Sequence, residues 1–299
     1  MNGTVMSATR LDDDIGRSNG ICAAGSLAPL MAFVAVITGA SSGIGAATAR
    51  RLAREPDARL VLVARRQERL EELAEELGGA TVVAVNLTAS DAPEEVRETV
   101  EREHGELHLL VNNAGASWRG AFGEKGWANV ERHMQVNFEA PVRLTEALLP
   151  LLRRTAAVAG GRRVSIVNVG STAARVSRPR AGAYSASKAA FAAWTDALYG
   201  EELPHRVHVG LVMPGFVPTE GFPASELRER FLTRRMLGSP DDVAEAIVAV
   251  GPGGQAERYV PRPYWLAAAA RTLLPAAVRR ATAGGAFSTS TRPGTGDGT

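Results

Sequence analysis

Two side chains in the second half of the sequence have types and a spacing suited to proton transfer. Tyr184 and Lys188 are four residues apart in the run Tyr184-Ser185-Ala186-Ser187-Lys188, and residues four apart on a helix share one face. An ammonium beside a phenol favours the phenolate, so it lowers the tyrosine pKa from its usual value of about 10. Such a tyrosine can act as a general acid or base. An isolated pair of this kind is also common on ordinary protein surfaces, so other residues must decide between the two interpretations.

A glycine-rich turn near the start of the chain favours the catalytic interpretation. The run Thr38-Gly39-Ala40-Ser41-Ser42-Gly43-Ile44-Gly45 joins an apolar strand-like run to a helix-like run. Glycine permits a tight turn and lets the backbone approach a pyrophosphate, while the helix start attracts phosphates. The alternative is a plain strand–helix connection. The position of the glycine-rich turn between a strand and a helix favours dinucleotide binding.

Ser171 is a third residue with suitable chemistry. It follows a predicted strand, at the sheet edge where open α/β sheets bind ligands. Its hydroxyl can hydrogen-bond a substrate carbonyl and stabilise developing negative charge, unless it is only a serine in a strand-end turn. Arg175, Arg178 and Arg180 follow Ser171, and they either steer an anionic substrate or belong to a solvated loop.

The residues after the second predicted strand bear on the choice of cofactor. That strand ends in Ala64-Arg65-Arg66, without an acidic residue. An acid at this place would accept the ribose hydroxyls of NAD, whereas arginine suits the additional phosphate of NADP. The sequence therefore predicts NADP(H) rather than NAD(H), with Arg65 as the main contact and Arg66 as a further one. The alternative is that both arginines are solvated residues at a helix start.

The elements that must position these residues alternate along the chain. Largely apolar runs predict strands at residues 33–37, 59–64, 81–85, 107–111, 164–169 and 207–212, and a short last strand is predicted at residues 257–260. Amphipathic runs between them predict helices at residues 46–53, 65–77, 91–103, 124–153 and 184–202, and a further helix begins after Ser239. This alternation predicts an α/β protein with a parallel sheet and helices on both faces.

The two ends of the chain differ from this pattern. We predict a disordered leader over residues 1–30, with Met31 as a possible natural start, and a disordered tail over residues 285–299. Residues 263–284 form an apolar, basic, helix-like segment that is interrupted by Pro275 and too short to span a bilayer. It can cover the pocket, pack in the core or on another subunit, or lie on a membrane surface. Core or interface packing is the favoured interpretation.

Composition excludes several classes of function. The 299 residues include 34 basic and 32 acidic side chains, which gives a net charge of +2 and no nucleic-acid footprint. Cys22 is the single cysteine, so no intrachain disulfide or thiolate metal site is expected, and a reducing cytoplasm is indicated. The histidine spacing predicts no metal site.

In their order and spacing, these motifs resemble the short-chain dehydrogenase/reductase family. The resemblance covers residues 31–262, which we take as one domain. It rests on the glycine turn, Asn112-Asn113-Ala114-Gly115, Asn137, Ser171, the Tyr184–Lys188 run and Pro214-Gly215. It implies a three-layer, Rossmann-type, doubly wound sheet of seven mostly parallel strands in the order 3-2-1-4-5-6-7. The activity it implies is NADP(H)-dependent hydride transfer between a carbonyl and a secondary alcohol.

The resemblance also implies roles for individual residues. Tyr184 donates the proton in reduction, Lys188 tunes it and binds the ribose, Ser171 orients the carbonyl, and Asn137 holds a water that links Lys188 to solvent. The cofactor-binding residues expected are Gly39, Ser41, Ser42, Gly43, Ile44, Gly45, Arg65, Arg66, Asn86, Leu87, Asn113, Ala114, Gly115, Tyr184, Lys188, Pro214, Gly215, Val217 and Thr219. The rival function is a non-catalytic NADP(H) sensor on the same fold.

Apolar residues in the sequence predict two kinds of partner, the substrate and further copies of the chain. A small carbonyl or alcohol substrate with an apolar portion is suggested by Phe216, Phe222, Phe231 and Met236. The helices that carry Asn137 and Tyr184 are expected to have apolar outer faces that form a homodimer or homotetramer. These faces comprise Leu144, Ala147, Leu148, Leu151, Phe191, Ala192, Trp194 and Leu198.

Overall fold

The computed structural model of the chain describes residues 33–218, 220 and 237–283. The chain divides into a unit Met1–Leu30, which lies outside the described residues, and a unit Met31–Thr299. The predicted leader, the predicted tail, Cys22, Thr219, Phe222, Phe231 and Met236 therefore all lie outside the described part of the chain.

A seven-stranded parallel sheet forms the centre of the second unit. Its strands are β1 Phe33–Thr38, β2 Ala58–Ala64, β3 Thr81–Ala84, β4 Leu109–Asn112, β5 Val164–Val169, β6 Val207–Pro214 and β7 Glu257–Val260. They lie in the order β3-β2-β1-β4-β5-β6-β7, and each neighbouring pair is parallel. This confirms the predicted fold class and strand order.

Helices cover both faces of this sheet. The α-helices of the described residues are α1 Gly43–Leu52, α2 Gln67–Glu76, α3 Ala92–Glu103, α4 Phe122–Met134, α5 Ala140–Val158, α6 Gly182–Glu202, α7 Pro240–Val250, α8 Tyr264–Leu273 and α9 Pro275–Ala283. Ser239 caps α7 as predicted, because its hydroxyl accepts a hydrogen bond from the Asp242 N–H at 3.0 Å.

The central strands separate two apolar clusters. Along β1, Ala35 and Ile37 pack into one cluster with α1, α2 and α7, while Val34 and Val36 pack into the other with α3 and α5. Successive side chains of a strand point to opposite faces, so a strand with apolar residues at every position is covered on both sides. The result is a three-layer arrangement with the carboxyl ends of the strands at one edge.

The long helix predicted over residues 124–153 is not continuous, which corrects that expectation. A π-helical turn, Gln135–Glu139, separates α4 from α5 and contains Asn137. Single π-helical turns often occur at functional sites, because the extra residue redirects one side chain out of the regular helical pattern.

Most of the apolar residues on which the predicted oligomer interface was based are not at the surface. Six of its eight residues are buried within the chain itself: Leu144, Leu148, Leu151, Phe191, Ala192 and Leu198. The helices bury them against the sheet, so they are not available to a second subunit. A homodimer or homotetramer stays a prediction that rests on the family resemblance, and light scattering at micromolar concentration will give the mass.

The C-terminal helices α8 and α9 have no buried residue, so core packing is wrong for this segment, while packing on another subunit stays a prediction. Among the described residues, no helix is long and apolar enough to cross a membrane.

Candidate active site

One cavity of about 880 Å³ lies at the carboxyl edge of the sheet and collects most of the predicted site residues. The predicted residues that line it are Gly39, Ser41, Ser42, Gly43, Ile44, Arg65, Arg66, Asn86, Leu87, Asn113, Ala114, Gly115, Ser171, Tyr184, Lys188, Pro214, Gly215 and Val217. Gly45 and Asn137 lie behind its wall, and Thr219 lies outside the described residues.

The glycine turn has a geometry that fits a dinucleotide. Gly39 has a φ of +66°, a conformation that side chains rarely adopt. A Cβ on Gly45 would lie 2.2 Å from the Gly39 carbonyl oxygen, so the turn closes only with glycine there. In the described structure the Ser42 side chain does not cap α1, which leaves the N–H groups of its first turn available to an anion.

The Asn112-Asn113 motif ties neighbouring strands together beneath this turn. Asn113 donates its side-chain N–H to the Thr38 carbonyl at 2.8 Å, and Thr38 Oγ1 accepts from the Asn113 and Ala114 N–H groups at 2.9 and 3.0 Å. Asn112 Nδ2 donates to Asn168 Oδ1 at 2.9 Å. These bonds confirm that the asparagines link β1, β4 and β5 at the strand ends.

Arg66, rather than Arg65, contacts the glycine turn. Its guanidinium donates to Ser42 Oγ at 2.7 Å and to Ser41 Oγ at 3.2 Å, and it forms an ion pair with Glu220 at 2.9 Å. Arg65 is exposed and lines the cavity. The sequence gives no sign of Glu220 as a partner, because 154 residues separate it from Arg66.

Tyr184 and Ser171 are joined by a hydrogen bond between their side chains. Burial raises the pKa of Tyr184, while the Ser171 bond and the charges of Arg178 and Arg119 lower it by smaller amounts. The expected depression of the Tyr184 pKa by Lys188 is therefore wrong for this structure, because desolvation of the phenolate is the largest effect. Tyr184 is protonated at neutral pH and available as a proton donor.

Lys188 is buried on the same face of α6 and donates to the Val169 carbonyl at 2.8 Å. Burial lowers its pKa to about 8, because removal from water disfavours the ammonium. The charged form still predominates at pH 7. The fixed ammonium at the end of β5 provides a positive charge and hydrogen-bond donors at the cavity wall.

Asn137 connects two parts of the site rather than facing the cavity. Its Oδ1 accepts from the Ala116 N–H at 2.9 Å, and its Nδ2 donates to the Ala116 carbonyl at 2.9 Å and to Ser187 Oγ at 3.0 Å. A Cβ on Gly115 would lie 3.0 Å from Asn137 Oδ1 and 3.4 Å from Lys188 Nζ. Gly115 therefore makes room for these two side chains, whereas the sequence analysis assigned Gly115 to contact with the cofactor.

Several cavity residues were not predicted from the sequence. Trp118 lies edge-on to His133 with ring centroids 5.0 Å apart, and the His133 ring lies 6.2 Å from that of Tyr184. His133 is buried and accepts from the Trp118 N–H at 3.0 Å. Tyr264 of α8 packs on Gly215, where a Cβ would lie 2.4 Å from its ring. A tertiary contact of this kind has no local sequence signal.

The three arginines after Ser171 have different environments. Arg175 pairs with Glu257 at 3.2 Å and Arg180 with Glu124 at 2.7 Å, so these two stabilise loops. Arg178 lines the cavity with its guanidinium carbon 4.5 Å from the centre of the Phe216 ring, and burial lowers its pKa. Only Arg178 of the three faces the space beside Tyr184.

Comparison with known proteins identifies the family to which this arrangement belongs. The family model described as short chain dehydrogenase matches residues 33–229. The chain belongs to the short-chain dehydrogenase/reductase family. The glycine turn, Ser171, Tyr184 and Lys188 all lie within the matched range.

Two curated relatives are similar to this chain at about the same level of identity. Dehydrogenase/reductase SDR family member 7B from Bos taurus is 35% identical over 62% of this chain and 58% of its own length. A fatty acyl-CoA reductase from Acinetobacter baylyi is 34% identical over 72% of this chain and 71% of its own length. The chain thus spans less than two thirds of the bovine relative.

Solved structures of other proteins are also similar to the structure of this chain. The RhlG/NADP active-site complex from Pseudomonas aeruginosa has a TM-score of 0.67 and 26% identity, and the match covers 77% of this chain and 96% of that one. A 3-ketoacyl-(acyl-carrier-protein) reductase from Brucella melitensis, complexed with NADH, has a TM-score of 0.66 and 29% identity, covering 74% and 91%. Structures bound to either cofactor are therefore similar to this chain.

Proposed function

We propose that this chain is an NADP(H)-dependent reductase of carbonyl compounds, or oxidant of the corresponding secondary alcohols, that acts on substrates with an apolar portion. The observation that carries the proposal is the presence of Ser171, Tyr184 and Lys188 in the same cavity as the glycine turn. A proton donor thus shares one space with the turn expected to hold the cofactor.

The roles proposed for the chain's own residues follow from their contacts. NADPH, when bound, supplies the hydride. Ser171 interacts with the Tyr184 side chain, and its one O–H group donates to the substrate oxygen and so orients it. Tyr184, whose raised pKa keeps it protonated, donates the proton as the oxygen gains negative charge. We expect the Lys188 ammonium to bind the ribose hydroxyls and Asn137 to support the water path that restores the proton.

The proposal of an apolar substrate portion rests on the wall of the cavity beyond Tyr184. That wall includes Trp118, Val136, Phe216, Tyr264 and Ala267, and buried aromatic and aliphatic surface favours an apolar ligand. The names of the Acinetobacter and Brucella proteins, a fatty acyl-CoA reductase and a 3-ketoacyl reductase, point to the same kind of substrate for those proteins.

Consumption of NADPH with a panel of ketones and aldehydes of increasing chain length tests this function. We expect turnover that rises with chain length and that exceeds the rate with NADH. Binding of NADPH without turnover of any carbonyl compound would instead support the cofactor-sensor function.

The preference for NADP(H) is tested at the two arginines after β2. Arg65→Ala and Arg66→Ala should each weaken NADPH binding by about tenfold, because a charge-assisted bond to the 2′-phosphate is lost. NADH binding should change little. Glu220→Gln should strengthen NADPH binding, because Arg66 is released from its ion pair at 2.9 Å.

Titration of each variant with both cofactors supplies the comparison. Arg54→Gln, which changes an exposed arginine just after α1, is the control for loss of one positive charge. Equal losses of NADPH and NADH affinity in both arginine variants would contradict a contact with the 2′-phosphate.

A further inference from the structure

The helices α8 and α9, which we call the C-terminal hairpin, have an unusual apolar surface. Trp265, Leu266, Leu273 and Leu274 are exposed, with Leu273 at 77% and Trp265 at 53% of their full accessibility. Among the described residues, nine large apolar side chains are exposed, and these four lie within ten consecutive positions. Such a concentration indicates an interaction surface, because the exposed apolar residues of an ordinary protein surface are scattered singly.

The charged side chains of the segment 258–283 all have the same sign, although Glu257, which pairs with Arg175, lines a pocket together with Trp265, Arg271 and Arg279. Between residues 258 and 283 the sequence contains five arginines and no acidic residue, although the whole chain has nearly equal numbers of basic and acidic side chains. These arginines are Arg258, Arg262, Arg271, Arg279 and Arg280. In the described part of the chain none of them forms an ion pair, whereas Arg50, Arg153 and Arg180 elsewhere pair with glutamates.

The other side of the hairpin faces the catalytic cavity. Tyr264, Ala267, Ala268, Val278 and Thr282 line that cavity together with Tyr184. The hairpin therefore has small and apolar residues towards the site and large apolar residues towards the outside. A ligand held on the outer surface is separated from the cavity only by the thickness of these two short helices.

We propose that the C-terminal hairpin binds the surface of a bilayer that contains anionic phospholipids. Trp265 and the exposed leucines enter the interfacial region, and the arginines contact lipid phosphates. Helices with an apolar face and arginine-rich flanks bind membranes in this manner, with burial of apolar area and electrostatic attraction acting together.

A second copy of the chain fits this surface less well. A two-fold contact places the same patch on both subunits, so the three arginines of the hairpin would face three arginines with no acidic residue within the hairpin to compensate. An anionic lipid surface provides the opposite charge. Membrane binding would let apolar substrates enter the cavity from the lipid. That consequence rests on the proposed function, whereas membrane binding itself does not, so the two ideas can fail separately.

Sedimentation of the full chain with lipid vesicles tests the proposal. We expect binding to vesicles of phosphatidylcholine and phosphatidylglycerol, at least about tenfold weaker binding to phosphatidylcholine alone, and loss of binding at high salt. Leu273→Ser/Leu274→Ser and Arg279→Gln/Arg280→Gln should each weaken binding by about tenfold or more. A thermal melt of each variant verifies that it is folded.

Two matched variants serve as controls. Phe122→Ser/Trp127→Ser removes comparable exposed apolar surface from α4, and Arg54→Gln/Arg102→Gln removes two exposed arginines outside the hairpin. Both should bind vesicles as the parent does. Brominated lipids should quench the parent's tryptophan fluorescence, and Trp265→Phe, but not Trp127→Phe, should remove most of that quenching.

Three results would overturn the proposal. They are absence of binding to both kinds of vesicle, equal losses in the hairpin variants and their controls, and a dimer in light scattering that Leu273→Ser/Leu274→Ser converts to a monomer. The last result would assign the surface to a second copy of the chain.

Discussion

Replacement of Tyr184 by phenylalanine should lower kcat/KM for carbonyl reduction by at least about a hundredfold. The substitution removes only the hydroxyl, which hydrogen-bonds Ser171 and supplies the proton. Without it, the group that we propose as the proton donor is missing when the substrate oxygen gains negative charge. The Tyr184 ring and its backbone remain, so NADPH binding should change by no more than a few-fold.

The same helix offers a matched control for this variant. Tyr199 also lies on α6, but it is 40% exposed and does not line the cavity. Tyr199→Phe removes the same hydroxyl and should leave kcat/KM unchanged. Steady-state rates and NADPH titrations of both variants give the comparison. Turnover of Tyr184→Phe within a few-fold of the parent would show that another group donates the proton.

The fold could be predicted from the sequence because its signals are local. Six of the seven strands are short, largely apolar runs, and the predicted residues 164–169 and 257–260 coincide with the observed β5 and β7. The glycine turn and the Tyr184–Lys188 spacing are equally local, since four residues on a helix fix a common face. These motifs meet at the carboxyl edge because parallel strands all end there.

The direction of long side chains could not be predicted in the same way. Arg65 and Arg66 are adjacent and chemically identical, and which of them reaches the glycine turn depends on the end of β2 and on Glu220. Similarly, the pKa of Tyr184 is raised chiefly by removal of its side chain from water. Burial is a property of the assembled fold, and residue spacing alone does not reveal it.

The predicted oligomer surface shows where helical periodicity misleads. The residues chosen for it, among them Leu144, Leu148 and Leu151, follow the spacing of a single helix face. That spacing identifies an apolar face without saying what covers it. In the structure the covering element is the sheet of the same chain, and these three leucines are at most 1% exposed.

Replacement of Gly45 by alanine should abolish measurable NADPH binding in the micromolar range and lower stability. The added Cβ would lie 2.2 Å from the Gly39 carbonyl oxygen and 2.8 Å from Asn113 Nδ2. The first contact is with backbone, so the turn must open to relieve it. That movement displaces the N–H groups of α1 and strains the Asn113 bond to Thr38. Overpacking of this kind destabilises proteins by about 1–3 kcal/mol.

Gly200→Ala separates the geometry of the turn from a general effect of glycine replacement. Gly200 lies in α6, and a Cβ there would meet no heavy atom within 4 Å beyond its own helix backbone and chain neighbours. Alanine at this position should therefore stabilise the chain by about 0.5–1 kcal/mol. Thermal melts and NADPH titrations well below the melting temperature measure the two effects separately. If folded Gly45→Ala bound NADPH with the parent's affinity, the phosphates would have to lie elsewhere. The N–H groups in the first turn of α1, which the Ser42 side chain leaves uncapped, would then need a role other than phosphate binding.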